Sequence, residues 1–164
     1  MASSSYVWLP EYQEAAAVGH DAAGLPVETR KSQEASVAGS LRTTPLEFAR
    51  VLSDMLSSDG KRVLLNQTVV DAMLTPQARL GPRLEWGLGW SLQETEHGRS
   101  FWHWGDSPGY KSFTVAFPER RASVVFLTNG DGGRNVYQWL LRIGLGGRLP
   151  VADMLDSLGD YLLW

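Results

Sequence analysis

Residues 101–133, FWHWGDSPGYKSFTVAFPERRASVVFLTNGDGG, constrain the fold more than any other stretch of the chain. Residues 101–104 form an aromatic strand candidate. Residues 105–109 hold two glycines and a proline and must turn. From Lys111 the pattern alternates. Phe113, Val115 and Phe117 face one way, and Ser112, Thr114 and Ala116 the other, which is the period of a strand with one buried face. Residues 118–121, PERR, are a turn. Residues 123–128 are a nearly continuous apolar run, too hydrophobic for a water-facing edge. Asn129-Gly130-Asp131-Gly132-Gly133 breaks it. Three antiparallel strands follow, with His103 beside the first loop. The expected class is α/β (α+β): an antiparallel sheet of three or four strands with packed helices.

The helices announce themselves by their caps. Thr44 is placed as an N-cap, Pro45 at the first helical position, and Glu47 completes a capping box. Phe48, Val51, Leu52, Met55 and Leu56 then share one face, and Arg50 and Asp54 are four apart on another. A second helix is expected from Asn66, its cap, to Leu74, before Thr75-Pro76. A third runs over 135–143, with Val136, Trp139, Leu140 and Ile143 on one face. Gly144, Gly146 and Gly147 end it, and 151–158 can form a last short helix. The tail Tyr161-Leu162-Leu163-Trp164 is apolar and is expected to dock on this chain or another. Trp86, Leu88, Trp90 and Leu92 alternate as a strand would. The glycines between Trp86 and Trp90 leave one face bare, open to a backbone, a ligand or a bulky neighbour.

Residues 1–40 carry no clear strand pair and are expected to be an extended or wrapping segment. Residues 15–20 are a candidate for a short strand or an extended segment within it. Residues 41–164 are then the main domain. With 164 residues, 43% of them apolar and seven tryptophans, a real core is expected. Net charge −3 and three scattered lysines argue against nucleic acid and anionic membranes. No apolar run is long enough for a membrane helix, and the start MASSSYVW lacks the features of a signal peptide. The chain has no cysteine, so thiolate chemistry and disulfides are out and the compartment stays open.

Few residues are placed to carry chemistry. His103, between two tryptophans and before a glycine, leads; the alternative is a partly buried histidine bonded to a carbonyl. His20, His97 and His103 make no close-spaced metal set, so neither metal nor cofactor is expected. Asp21, Asp106 and Asp131 have no spacing that joins them. Asp106 is expected to bond within its own turn, beside Ser107 and Pro108. The 130–133 loop lacks both phosphate-loop patterns. GxSxG is absent. One S-x-x-K match, Ser58-Asp59-Gly60-Lys61, has Asp59-Gly60 between its reactive groups and reads as a helix end rather than a nucleophile.

Five segments together are similar to the serine beta-lactamase-like family of class C beta-lactamases, D-alanyl-D-alanine carboxypeptidases and related esterases. GSLRTTPLEFAR at 39–50 resembles its GG-L-x-S/T-T-x-x-D-L-A-R helix start. MLTPQ at 73–77 resembles a second signature, and WGLGW at 86–90 resembles Y-G-L-G-W. His103-Trp104-Gly105 with Gly109-Tyr110 resembles the H-x-G active-site element, and 125–129 resembles the last core strand ending in T-N. SSSYVW at 3–8 is only loosely similar to the stretch past P-L-G-M-x-x-T. The resemblance implies a partial beta-lactamase/transpeptidase-like fold, namely its C-terminal portion. It implies ester or amide hydrolysis by the complete enzyme, and inactivity alone, since no credible S-x-x-K or Y-x-N is present.

By the same resemblance, His103 would hydrogen-bond the serine–tyrosine network or the substrate, and the backbone N–H of Asp106 would be one oxyanion donor. Trp104, Gly105, Ser107, Gly109 and Tyr110 would border a small acyl ester or amide. The expected partners are a second copy in a homo-oligomer or a complementing N-terminal polypeptide, as in a split hydrolase. A non-enzymatic interaction or small-ligand-binding domain is the alternative.

Overall fold

The structure, a computed structural model, describes residues 1–57 and 62–145. The Ser58–Lys61 match, the helix expected at 151–158 and the apolar tail lie outside the described residues.

Six strands form one antiparallel sheet in chain order: β1 (Ala78–Gly81), β2 (Leu84–Trp86), β3 (Ser91–Thr95), β4 (Gly98–Ser107), β5 (Tyr110–Phe117) and β6 (Ala122–Thr128). The class is the expected one, but the sheet is larger than three or four strands. Its two extra members, β1 and β2, are too short to alternate visibly, and a register shift between Arg79 and Gly81 interrupts their pairing. Of the WGLGW segment only Trp86 is strand, as the end of β2, and residues 87–90 form a tight turn. Gly89 has φ +79°, and a side chain on Gly87 would sit 2.1 Å from the Met73 carbonyl oxygen. The bare glycine face does admit another backbone, that of the preceding helix end at Met73, whose carbonyl accepts from Leu88 N–H at 3.0 Å. The polar link at 94–99 is mostly strand and turns only at Glu96-His97. Likewise β4 runs on through Gly105 to Ser107, so the turn after it shrinks to Pro108-Gly109.

Helices cover both faces of the sheet. Adjacent residues of β4 feed opposite layers. Trp102 packs with Phe113, Val115, Phe117 and Leu141. Phe101 packs with Leu52, Met55, Val70, Trp90, Leu92 and Ala116. The helix of the first layer is α4 (Gly133–Leu145); those of the second are α2 (Pro45–Met55) and α3 (Gln67–Met73). Thr44 caps α2 through Glu47 N–H at 3.2 Å, and Asn66 caps α3 through Val69 N–H at 2.9 Å. Each such cap stabilises its helix by about 1 kcal/mol.

Three local expectations are corrected. Glu47 does not close a capping box: its carboxylate accepts from Ser3 N–H and the Ser4 hydroxyl, so it anchors the N-terminal segment instead. Asp54 turns to the backbone amides of Val63, Leu64 and Leu65 rather than to Arg50. The face of α4 that carries Val136, Trp139 and Ile143 is exposed, Trp139 to 61%, and Leu141 alone of the helix's described apolar side chains is fully buried.

The N-terminal residues contain a single helical turn, α1 (Tyr12–Ala15). Residues 15–20 are not a strand. They cross the end of the sheet, where His20 exchanges backbone hydrogen bonds with Asn129 and Asp131 at 3.0 and 2.9 Å. Upstream, Ser5 pairs with Arg42, and Trp8 lies between the Lys31 and Arg42 cations.

Candidate active site

The strand β4 has two different halves. Residues Gly98 to Trp102 pair with β3, and of these Phe101 and Trp102 pair also with β5. The pairing with β3 ends at Ser91↔Trp102, while that with β5 continues to Ser107↔Tyr110. Among the described residues no strand pairs with His103 to Ser107 on the β3 side.

His103 stands where β3 departs. Its ring lies 6.0 Å from that of Trp86, 6.3 Å from Trp90 and 5.4 Å from Trp104. Trp86 also meets Trp104 edge-on at 6.2 Å. The glycine turn explains this cage, since it reverses the chain tightly enough to bring both of its flanking tryptophans to one histidine. His103 Nδ1 is 2.7 Å from the Trp104 carbonyl oxygen. A carbonyl only accepts, so Nδ1 carries the proton, and in the neutral ring Nε2 is the acceptor. The bland expectation, a half-buried histidine bonded to a carbonyl, is therefore correct in geometry.

Gly105 follows on the same side of the sheet, and a Cβ there would meet Ser112 Oγ at 2.4 Å. Ser107 is exposed at the strand end. The Asp106 side chain points to the α4 layer, where it binds Lys111 Nζ at 2.9 Å and the Arg134 guanidinium, instead of bonding its own turn. Lys111 also reaches Asp131 at 2.6 Å and the Ser107 carbonyl at 3.1 Å. Asp106 and Asp131 thus do meet, bridged by a lysine; Asp21 stays apart and accepts from Ala23 and Leu25 N–H. Burial lowers the pKa of Lys111, but its hydrogen bonds to Asp131 and Asp106 outweigh that and raise it above the ordinary 10.5. The Lys111 hydrogen bond and then Gly109 N–H hold Asp131 below the ordinary 3.8.

Gly109 and Tyr110 belong to the hairpin's attachment. Gly109 has φ +76° and donates to Asp131 at 2.9 Å. The Tyr110 hydroxyl donates to the Ala17 carbonyl at 2.9 Å and is 3.1 Å from Thr29 Oγ1. The structure thus gathers His103, Trp104, Gly105 and Ser107 along the open edge and sets Gly109 and Tyr110 against the N-terminal wrap. Sequence reasoning did not attach Trp86 and Trp90 to His103, nor Lys111 and Arg134 to Asp106. The only signal for the first was the paired glycines of WGLGW. Among the described residues no cluster of His, Asp and Glu is placed to hold a metal ion, and no helix is long and apolar enough to cross a membrane.

The sequence profile of the family described as Beta-lactamase matches residues 2–145, and the chain belongs to that family. The fold is similar to a beta-lactamase/D-alanine carboxypeptidase from Pseudomonas syringae, with TM-score 0.72 and 13% identity over 90% of this chain and 49% of that one. It is also similar to an octameric penicillin-binding protein homologue from Pyrococcus abyssi (TM-score 0.67, 20% identity, 88% and 34% covered). A D-alanine carboxypeptidase from Burkholderia cenocepacia matches with TM-score 0.66 and 17% identity, over 80% and 46% of the two chains. The chain therefore spans half or less of the length of these structures. No curated protein matches it in sequence.

Proposed function

We propose that residues 1–164 supply one wall of a serine-hydrolase acyl-transfer site and do not turn over substrate by themselves. The open half of β4 supports this reading. It offers an unpaired strand edge, a histidine whose Nε2 accepts, and a glycine that keeps side chains off that edge. His103 would hydrogen-bond the nucleophile's network or the substrate. Asp106 N–H would be one oxyanion donor, which needs a second preplaced donor to be effective. Trp104 and Ser107 would flank an acyl ester or amide. The serine, lysine and tyrosine would come from sequence outside these residues, in the same polypeptide or a complementing N-terminal one. Without the serine the covalent intermediate cannot form. The missing motif also supports a second reading, a domain that binds a small acyl ligand without reacting.

Intact-mass spectrometry after incubation with an activated penicillin and with a fluorophosphonate tests the proposal. The expected result is no stoichiometric adduct on residues 1–164. With a polypeptide that carries S-x-x-K added, an adduct should appear on that partner, and His103→Ala should slow its formation. A single adduct on a serine of this chain, abolished by its replacement with alanine, would overturn the proposal. A partner labelled at the same rate with and without His103 favours the binding-domain reading.

A further inference from the structure

One side chain holds the tip of the β4–β5 hairpin. Lys111 has a side chain only 11% exposed, and three oxygens surround its ammonium: Asp106 Oδ1 at 2.9 Å, Asp131 Oδ1 at 2.6 Å and the Ser107 carbonyl at 3.1 Å. An ammonium has three N–H donors, so there is one oxygen for each. Asp106 and Ser107 lie on β4, and Asp131 in the loop after β6. Arg134, in the first turn of α4, grips the other Asp106 oxygen, and Asp131 also accepts from Gly109 N–H. Two cations thus balance two carboxylates around the turn. The Asp106 backbone faces elsewhere. Lys111 is its partner on β5, and the Lys111 carbonyl accepts from Thr128 Oγ1 on β6 at 3.0 Å. Paired residues of antiparallel strands turn their backbone groups either toward each other or both away. Asp106 N–H therefore points to the side on which β3 has ended.

We propose that Lys111 is a positioning residue that fixes the direction of the Asp106 N–H by holding the Asp106 carboxylate and the Ser107 carbonyl. The peptide that carries this N–H follows Gly105, and a glycine lets such a peptide rotate at little cost. Among the described residues the sheet restrains that peptide from one side only, through the pairing of Gly105 with Ser112. Rotation would swing Asp106 about its own N–Cα bond, and a carboxylate tied to Lys111 and Arg134 resists it. This role rests on the reading of that N–H as an oxyanion donor, because such a donor acts only when preplaced. Lys111 acts through Asp106 and does not touch the acyl group.

Three-bond HN–Hα couplings of the whole chain test it. The wild type is expected to hold a strand-like value at Asp106. Lys111→Met should average that value toward an unordered one, with Phe101 to Trp104 unchanged, and Lys111→Arg should recover part of it. If Lys111→Met unfolds, Lys111→Gln takes its place, since it keeps hydrogen bonding but is too short to reach both carboxylates. An activated penicillin is then titrated into the same variants. Where the wild type binds it, Lys111→Met should weaken binding about tenfold, as the loss of one well-placed hydrogen bond would. A lysine with a merely structural role would lower the urea midpoint on replacement and leave the Asp106 coupling and the affinity at wild-type values; that result overturns the proposal. A wild type that binds no penicillin counts against the hydrolase wall, and the couplings alone then decide the positioning.

Discussion

The two halves of β4 share one backbone and do opposite things. From Gly98 to Trp102 the strand is held by β3, at Phe101 and Trp102 by β5 as well, and Ser100, Phe101 and Trp102 are buried. From His103 to Ser107 it is held on one edge only, and exposure increases to the tip. The change falls between Trp102 and His103 because β3 starts at Ser91, after the Gly87–Gly89 turn has used the residues that would have paired further. A short glycine turn in a neighbouring strand is therefore what leaves β4 open. Burial is greatest in the first half and exposure in the second.

The comparison is broken most severely at Trp102. The side chain is fully buried between the sheet and α4, so Trp102→Ala should destabilise the fold by about 3–5 kcal/mol in urea unfolding. Trp104, two residues on and only partly buried, should lose less on the same substitution. Equal losses at the two positions would erase the distinction between the halves.

Gly109→Ala attacks the hairpin that carries the open half. A Cβ there would lie 2.3 Å from Val27 Cγ2 and 3.0 Å from the His20 nitrogen, at φ +76°. A side chain at positive φ against backbone should cost more than about 1 kcal/mol. Because the contacts are with the N-terminal wrap, proteolysis within residues 17–29 should speed up along with the loss of stability.

Acid should weaken the same hairpin. Asp131 has its pKa depressed in the folded chain, so its contribution is present above the ordinary 3.8 and is lost as pH falls through the lower folded value. Lys111 is raised, so its contribution is complete below 10.5 and is lost as pH rises through the folded value. Lys111→Met should flatten the stability profile at both ends. An unchanged slope below pH 4 in that variant would show that the network does not anchor the hairpin.

Much of this was legible in the residues. The strands over 111–117 and 123–128 followed from alternation and apolar run, and the starts of α2 and α3 from Thr44-Pro45 and Asn66, because those signals act within a few residues. What could not be read was decided at long range. Glu47 exchanged its capping role for Ser3 and Ser4, 44 and 43 residues away. Leu141 rather than Trp139 was chosen for the core of α4, although both are apolar. His103 was visible, but its tryptophan cage was not, since a W-x-x-x-W spacing reads equally well as an alternating strand.

The smallest structural effect is expected at the residue that matters most to the site. His103→Ala removes a half-buried ring and one hydrogen bond, so stability should fall by only about 1 kcal/mol. Two-dimensional amide spectra of the wild-type chain, titrated with an activated penicillin, test the central claim most directly. Shifts are predicted at the amides of residues 103–107 and the indoles of Trp86 and Trp90, with residues 98–102 unmoved, no change in mass, and no shifts in His103→Ala. Shifts spread over both halves of β4, or confined to the α2 or α4 helices, would contradict the claim that this open half-strand is the ligand wall.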